Sequence, residues 1–376
     1  MKQIALAFPL GVSHLERVAY GIRRFSRESS NWQLITNPEK HHLEIEQLVN
    51  WDGDGIIGFI HDDDEAEIIR QKKIPFINLS GALEKSPFPR VRVDYYQMGQ
   101  LGAEHFLAKG FESFAYYGIE NVWYAQEIGR GFRDALGKNT KYSEYLAQST
   151  LSGNYSGGDK GLSNWLESLP TPTALMSAHD PRALEVLQTC RRLDIRVPNE
   201  IALLGNNNDG ITCELATPSL SSIPRDGDAI GYLASQLLEK LLRGESIADE
   251  DTVVPALAVV ERESTAFLAI KDKDLLFAVE YIKENIDKHI NVETTCTYLN
   301  RSRRWLEYTF KKQLKMSPLK FIAQVKVDKA KELLLSSKNH NLSDVANMSG
   351  FSGTEQMNKA FRKVIGQNAR EFKDMK

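Results

Sequence analysis

The residues of this 376-residue chain that could act on a substrate do not converge on a reaction. His61-Asp62-Asp63-Asp64-Glu65 has the donor types of a metal site, but a run of adjacent charges more often opens a helix in solvent than closes around an ion. His41-His42 has no further donor at ligand spacing, and Cys190, Cys213 and Cys296 are odd in number and scattered. Ser156-Gly157-Gly158-Asp159-Lys160-Gly161 is glycine-rich but lacks the phosphate-loop spacing and its Lys-Ser/Thr ending. No serine elbow or pair of zinc histidines occurs. The chain is therefore expected to be no enzyme and to need neither cofactor nor metal. Its polar residues suit recognition instead, and in two different ways along the chain.

The elements that must position them change character near residue 268. Up to there, short apolar runs alternate with amphipathic stretches. Strands are predicted at 4–8, 55–60, 75–79, 113–118, 174–177 and 201–205, with a helix over 13–29 after the first. Strands alternating with helices argue for parallel α/β sheets, whose ligands bind beyond the carboxyl ends of the strands. That rule gathers Leu10 to Ser13, His61 to Asp64, Ser80-Gly81, His179-Asp180 and Asn206-Asn207-Asn208 around a ligand pocket.

The remainder carries one structural phrase twice, fifty-one positions apart. Leu306, Phe310-Lys311-Lys312 and Phe321 recur as Met357, Phe361-Arg362-Lys363 and Phe372. An amphipathic helix is predicted over 274–288, a short helix over 292–299, a turn at Asn300-Arg301 and a helix over 302–314. Ser317-Pro318 opens a long helix to about 336. The pattern then repeats: a helix over 342–348, a turn at Ser349-Gly350 and a helix over 352–364.

Charge divides the chain at the same place. Residues 271–376 hold 21 Lys and Arg against 13 Asp and Glu, a net +8, while the rest holds 26 against 37, a net −11. A basic module on an acidic body is the electrostatic footprint of nucleic-acid binding by that module alone. Arg303, Lys311, Lys312, Arg362 and Lys363 suit phosphate contacts. No run approaches about 18 apolar residues, so no membrane span is expected. The apolar start at residues 1–8 is too short for a signal peptide, and the unpaired cysteines fit a reduced, cytoplasmic protein.

Specific phrases sharpen both halves. Val93-Asp94-Tyr95-Tyr96-Gln97-Met98-Gly99, Ala103-Glu104-His105-Phe106 and Gly131-Phe132-Arg133-Asp134-Ala135-Leu136 resemble those of LacI-type sugar-sensing domains. So do Val197-Pro198-Asn199-Glu200-Ile201-Ala202 and Pro218-Ser219-Leu220-Ser221-Ser222-Ile223, in the same order over about 1–265. The resemblance implies a two-lobed, periplasmic-binding-protein-like sensor, without that family's usual amino-terminal helix-turn-helix ahead of the first strand. Position by position it implies ligand contacts from Tyr155, His179, Asp180, Asn207 and Arg225, beside Ser13 at a strand end. Two departures stand out. Ile128 replaces the arginine common three residues before the Gly-Phe pair, and Asn207 replaces an aspartate.

Ser302-Arg303-Arg304-Trp305-Leu306-Glu307, Ala330-Lys331-Glu332-Leu333-Leu334-Leu335 and Ser349-Gly350-Phe351-Ser352 resemble AraC-type DNA-binding domains over about 270–376. Asn368-Ala369 stands for the usual Thr-Pro, and Ser349 for a cysteine. That resemblance implies base-reading positions at Arg304, Glu307 and Tyr308, then at Thr354, Glu355, Gln356 and Lys359. The combination resembles that of the xylose-operon-activator family. The expected architecture is a two-lobed α/β sensor over 1–268 and an all-α domain with two helix-turn-helix units over 269–376. The expected role is a ligand-responsive transcription regulator, an activator of sugar-utilisation genes. Its expected partners are duplex DNA, a small sugar effector, RNA polymerase and a second copy of itself. A regulator of this build answering a non-sugar metabolite, and a solute-binding protein without a DNA role, are the alternatives.

Overall fold

The computed structural model describes all residues except 38, 139, 149–159, 248–249, 267–271, 289, 315, 336–340 and 375–376. The chain divides into two compact units, Met1–Phe267 and Leu268–Lys376.

The first unit begins with β1 (Gln3–Ala7), α1 (Ser13–Phe25), β2 (Gln33–Ile35), β3 (Gly55–Gly58), α2 (Asp63–Lys72), β4 (Phe76–Asn78) and β5 (Val91–Val93). It crosses into a second lobe with α3 (Tyr95–Ala108), β6 (Ser113–Ile119), α4 (Trp123–Leu136), β7 (Lys141–Ala147), α5 (Lys160–Ser168) and β8 (Thr173–Ser177). That lobe continues with α6 (Asp180–Arg192), β9 (Ile201–Asn207), α7 (Gly210–Leu215) and β10 (Ser221–Pro224). The chain returns to the first lobe for α8 (Gly227–Leu242) and β11 (Thr252–Val254). Each lobe holds one parallel sheet, ordered β2-β1-β3-β4 and β10-β9-β8-β6-β7. Strands β1, β3, β6 and β8 are buried nearly end to end, as sheets covered by helices on both faces require.

Local chemistry fixes where helices begin. Asp62, Asp94 and Asp226 accept hydrogen bonds from the backbone N–H of Glu65, Gln97 and Ala229 at the starts of α2, α3 and α8. The charge run at 61–65 is thus a helix start. Helices α3 and α4 cross where a Cβ on Gly131 would run into the carbonyl of Tyr96, which is why that phrase carries glycine. Between the lobes β5 pairs with β11, and the Asp251 carboxylate joins Arg90 and Arg92 at 2.6 Å each.

The α/β pattern and six strands agree with the sequence reading, but that reading missed β2, β5, β7, β10 and β11. Four of these are only three or four residues long. The fifth, β7, is an edge strand that keeps Lys141 and Glu144 in solvent and has no apolar run. The first helix is shorter than expected. It closes in a π-helical turn at Ser26–Ser30, and the chain leaves through Asn31 at φ 47.

The second unit contains α9 (Lys273–Glu284), α10 (Val292–Leu299), α11 (Arg303–Leu314), α12 (Pro318–Leu335), α13 (Leu342–Met348), α14 (Thr354–Ile365) and α15 (Ala369–Asp374). The repeated phrase proves to be repeated packing. Leu306 and Phe310 on α11 are fully buried, as are Met357 and Phe361 on α14. Phe310 meets Phe321 edge-on at 5.6 Å and 66°, and Phe361 meets Phe372 at 6.0 Å and 65°. The two turns use left-handed backbone, at Asn300 (φ 51) and Gly350 (φ 74). Gly350 also sits against the Ile286 carbonyl, where any Cβ would clash, and its own carbonyl accepts from Lys326 Nζ at 2.7 Å. Among the described residues, no helix is long and apolar enough to cross a membrane.

Candidate ligand cleft and DNA-reading helices

The carboxyl ends of β1, β3, β4, β6, β8, β9 and β10 turn toward a cleft of about 770 Å³ between the lobes. The first lobe contributes Val12, His14, Phe59, His61 and Leu79 to Leu83. The second contributes Ile119 to Val122, Tyr124, Gln148, His179, Arg182 and Asn207, while Tyr95 and Arg225 follow the crossing strands. The mouth is fastened across the lobes. Backbone N–H groups of Trp123 and Tyr124 donate to the carbonyls of Ala82 and Gly81 at 3.1 and 3.0 Å, and the Ser13 hydroxyl donates to Asp209 at 2.7 Å.

Three lining residues hold buried polar atoms with no hydrogen-bond partner in the described protein: His14 Nδ1, Asn207 Oδ1 and Arg225 Nε. Desolvated atoms of this kind cost free energy until something satisfies them. The Arg225 guanidinium lies 5.3 Å over the Tyr95 ring. Arg182 is already engaged, with Glu185 at 2.8 Å and the Gln148 carbonyl at 3.2 Å. Burial, followed by the charge of Arg225 and then His179, holds His14 well below its ordinary pKa. Burial and the charges of Arg182 and Arg225 lower His179 to about 4. Both rings are therefore neutral at pH 7. Neutrality also suits His179's backbone task, since its Nδ1 accepts the Arg182 N–H at the start of α6. Asn207 and Asn208 leave β9 at φ 98 and φ 49, a region that asparagine tolerates better than most residues.

The sequence candidates separate on this geometry. His179, Asn207 and Arg225 line the cleft; Asp180 and Ser13 do not. Asp180, expected to contact the ligand directly, lies outside the cleft lining in this structure. Its carboxylate is fully buried and accepts from the Ser222 hydroxyl at 2.6 Å and the Asp209 N–H at 2.7 Å. Burial raises its pKa to about 7 against the pull of those donors and of Cys213. Ser13, also expected at the ligand, is instead bonded to Asp209, whose other oxygen takes the Thr212 hydroxyl. Ser13, Asp209, Asp180 and Ser222 thus form a polar chain behind the cleft wall. Tyr155 lies outside the described residues. Ile128 is wholly buried in α4 and absent from the lining. His14, Tyr95, Tyr124 and Arg182 were missed. His14 adjoins a flagged strand end, whereas Tyr124 follows a strand whose end was read too early.

In the second unit, α11 and α14 are each the second helix of a helix-turn-helix. Arg303, Arg304, Glu307, Tyr308, Lys311 and Lys312 are exposed on α11, and Glu355, Gln356, Lys359, Arg362 and Lys363 on α14, with Thr354 half-buried. Several are tied to one another. Arg303 spans Glu293 at 2.7 Å and Glu307 at 2.9 Å, and Lys359 meets Glu355 at 2.8 Å. Gln356 accepts from the Ser352 N–H at 2.9 Å, which gives this candidate reader a capping task as well. Arg304 has no carboxylate partner among the described residues.

A two-lobed sensor with an interlobe cleft and a reader with paired helix-turn-helix units define a transcription regulator that couples a ligand site to a DNA site. Known proteins agree. Residues 103–265 match the periplasmic binding protein-like domain family, and 295–375 match a helix-turn-helix domain family. The chain has the build of a xylose-operon-activator-like regulator. It is 26% identical to the xylose operon regulatory protein of Escherichia coli strain K12, covering 99% of this chain and 97% of that one. With the same-named protein of Haemophilus influenzae the figures are 27%, 99% and 98%. A solved xylose-binding transcription activator superposes with a TM-score of 0.79 at 25% identity, over 100% of this chain and 98% of that one. The sensor fold alone is shared with a periplasmic binding protein/LacI regulator from Alkaliphilus metalliredigens, solved with D-xylulofuranose. That likeness has a TM-score of 0.57 at 21% identity, over 70% of this chain and 99% of that one. These relatives are regulators, and the chain is a regulator rather than an enzyme.

Proposed function

We propose that residues 1–268 sense a small hydroxyl-rich effector in the interlobe cleft, and that residues 269–376 carry its effect to duplex DNA. The observation behind this reading is the set of buried, unpartnered polar atoms on His14, Asn207 and Arg225, which a ligand hydroxyl or carbonyl would satisfy. The relatives' sugar-linked names point the same way. On the DNA side, Arg304, Glu307 and Tyr308 read bases in one major groove, and Thr354, Glu355, Gln356 and Lys359 read them in the next, about 34 Å along the duplex. Arg303, Lys311, Lys312, Arg362 and Lys363 hold phosphates, which sets affinity more than sequence choice. The chain works as a homodimer that activates sugar-utilisation genes by engaging RNA polymerase. Ligand closure of the lobes changes how the paired readers are presented.

The test is fluorescence anisotropy of the full-length protein on labelled fragments from its own genomic neighbourhood, with and without a panel of sugars and sugar acids. One fragment should bind specifically, and at least one panel member should shift its affinity or footprint. Specific DNA binding that no panel member alters would remove the sugar reading, and an absence of specific binding would remove the reader.

A further inference from the structure

We propose that the effector is a sugar acid whose carboxylate is received by Arg225. This deepens the ligand-sensing reading above and rests on it. Among the described residues lining the cleft are two guanidinium groups, Arg182 and Arg225, three imidazoles, His14, His61 and His179, and a single carboxylate, Glu120, at the exposed rim. Arg182 is matched by Glu185 at 2.8 Å, and His61 by Glu65 at 3.2 Å. Among the described residues no ion pair reaches Arg225, its Nε is buried without a hydrogen-bond partner, and one face lies on the Tyr95 ring.

Three buried or half-buried acids of the surrounding loops are committed elsewhere. Asp180 holds the Ser222 hydroxyl and the Asp209 N–H, Asp209 holds Ser13 and Thr212, and Asp226 caps α8. Asn207 adds a neutral amide whose buried oxygen has no partner among the described residues. Arg225 thus brings to the cleft a guanidinium with a buried Nε and no ion pair among the described residues, an arrangement that costs free energy unless an anion joins it. A guanidinium fork takes a carboxylate through two parallel N–H···O bonds. Asn207 and the neutral rings of His14 and His179 are left to bond the hydroxyls. A neutral sugar would leave the Arg225 charge unanswered.

Calorimetric titration of the full-length protein with matched pairs isolates the charge: D-glucuronate against D-glucose, D-galacturonate against D-galactose, and D-xylonate against D-xylose. In at least one pair the acid should bind ten-fold or more tightly than its neutral partner. Arg225→Gln should cost that acid about ten- to a hundred-fold, the usual weight of a charge-assisted hydrogen bond, and should cost the neutral partner markedly less, so that the preference for the acid is lost. Arg225→Lys keeps the charge without the fork and should retain part of the preference, which guards against misreading a folding defect; melting curves accompany each variant. Neutral members binding tighter than acids, or Arg225→Gln weakening both alike, overturns the proposal and leaves sugar sensing intact. D-glucose 6-phosphate outbinding every acid overturns the carboxylate in favour of a phosphate. Failure of all these compounds to bind overturns both this proposal and the sugar reading beneath it.

Discussion

The cleft and the reading helices keep their working groups in opposite states. In the sensor they are buried, and His14 Nδ1, Asn207 Oδ1 and Arg225 Nε have no hydrogen-bond partner among the described residues. In the reader they are exposed, and several are already paired, as Arg303 is with Glu293 and Glu307 and Lys359 with Glu355. Surface pairs of this kind are worth little, at most about 1 kcal/mol, so DNA phosphates can displace them at small cost. A buried unsatisfied atom is worth more, which lets few groups in the cleft select one ligand. The sensor gains selectivity from what it has desolvated in advance. The reader gains affinity from many weak charges engaged together.

If the reader works through exposed charge, salt should be its largest lever. Five phosphate contacts, from Arg303, Lys311, Lys312, Arg362 and Lys363, imply a loss of DNA affinity on the order of several hundred-fold between 50 and 200 mM salt. Ligand affinity in the cleft, measured over the same range, should move far less. Equal salt dependence at the two sites would erase the contrast.

Asp180→Ala probes the buried side. It strips a partner from the Ser222 hydroxyl and the Asp209 N–H, so unfolding free energy should fall by about 2–4 kcal/mol. Because Asp180 does not line the cleft, effector affinity should change less than about five-fold once the protein is held well below its melting temperature. A hundred-fold loss of affinity with unchanged stability would return Asp180 to the ligand.

The third test uses pH. His179 has a folded pKa of about 4, below the ordinary value of 6.5, with Arg182, Arg225, His14 and the Tyr124 ring as its neighbours. The unfolded chain therefore binds the proton first, and stability drops as pH falls from about 6.5 toward 4, by up to about 3 kcal/mol from this residue. Asp180 acts in the other direction. Its pKa is raised to about 7, so acidification over the same window favours the folded state by a comparable amount and offsets the histidine loss. His179→Asn keeps a side-chain cap for α6 but cannot titrate, and it should flatten the acid limb of denaturation curves recorded from pH 7.5 to 4.5. Parallel curves for the two proteins would show that His179 does not carry the effect.

The smallest expected difference lies within one helix. Arg304→Ala should cost about 1–3 kcal/mol and relax sequence preference at one base position. Arg303→Ala should cost about 1 kcal/mol or less and weaken all sequences alike, because its charge is already shared with two glutamates. A competition binding series with single-base operator variants reads both. Uniform weakening by Arg304→Ala would make it a phosphate contact.

Much of this protein was legible as a linear pattern because the forces behind the pattern are local or periodic. Alternating strand and helix signals, the cap at Ser317, and the turn residues Asn300 and Gly350 depend on neighbours within a few positions. The repeat of Leu306, Phe310 and Phe321 was visible because each copy solves the same packing problem, and the matched aromatic pairs confirm it. Short strands escaped because three residues show no period, and β7 escaped because an edge strand keeps its charges in water.

What the linear pattern could not supply was the fate of individual polar groups. Asp180 and His179 are adjacent in the chain and were equal candidates, yet one lies behind the cleft wall and the other on it. The difference comes from Ser222 and Asp209, 42 and 29 positions away, which claim the carboxylate. Arg225 was a candidate by resemblance alone, and only the fold placed it over the Tyr95 ring with its Nε buried and without a hydrogen-bond partner among the described residues. Sequence alone thus determined the two-module build, the helix-turn-helix repeat and the charge asymmetry between modules. Only the tertiary structure decided which side chains the cleft keeps unsatisfied, because satisfaction depends on partners that the fold, and not the chain order, brings within hydrogen-bond reach.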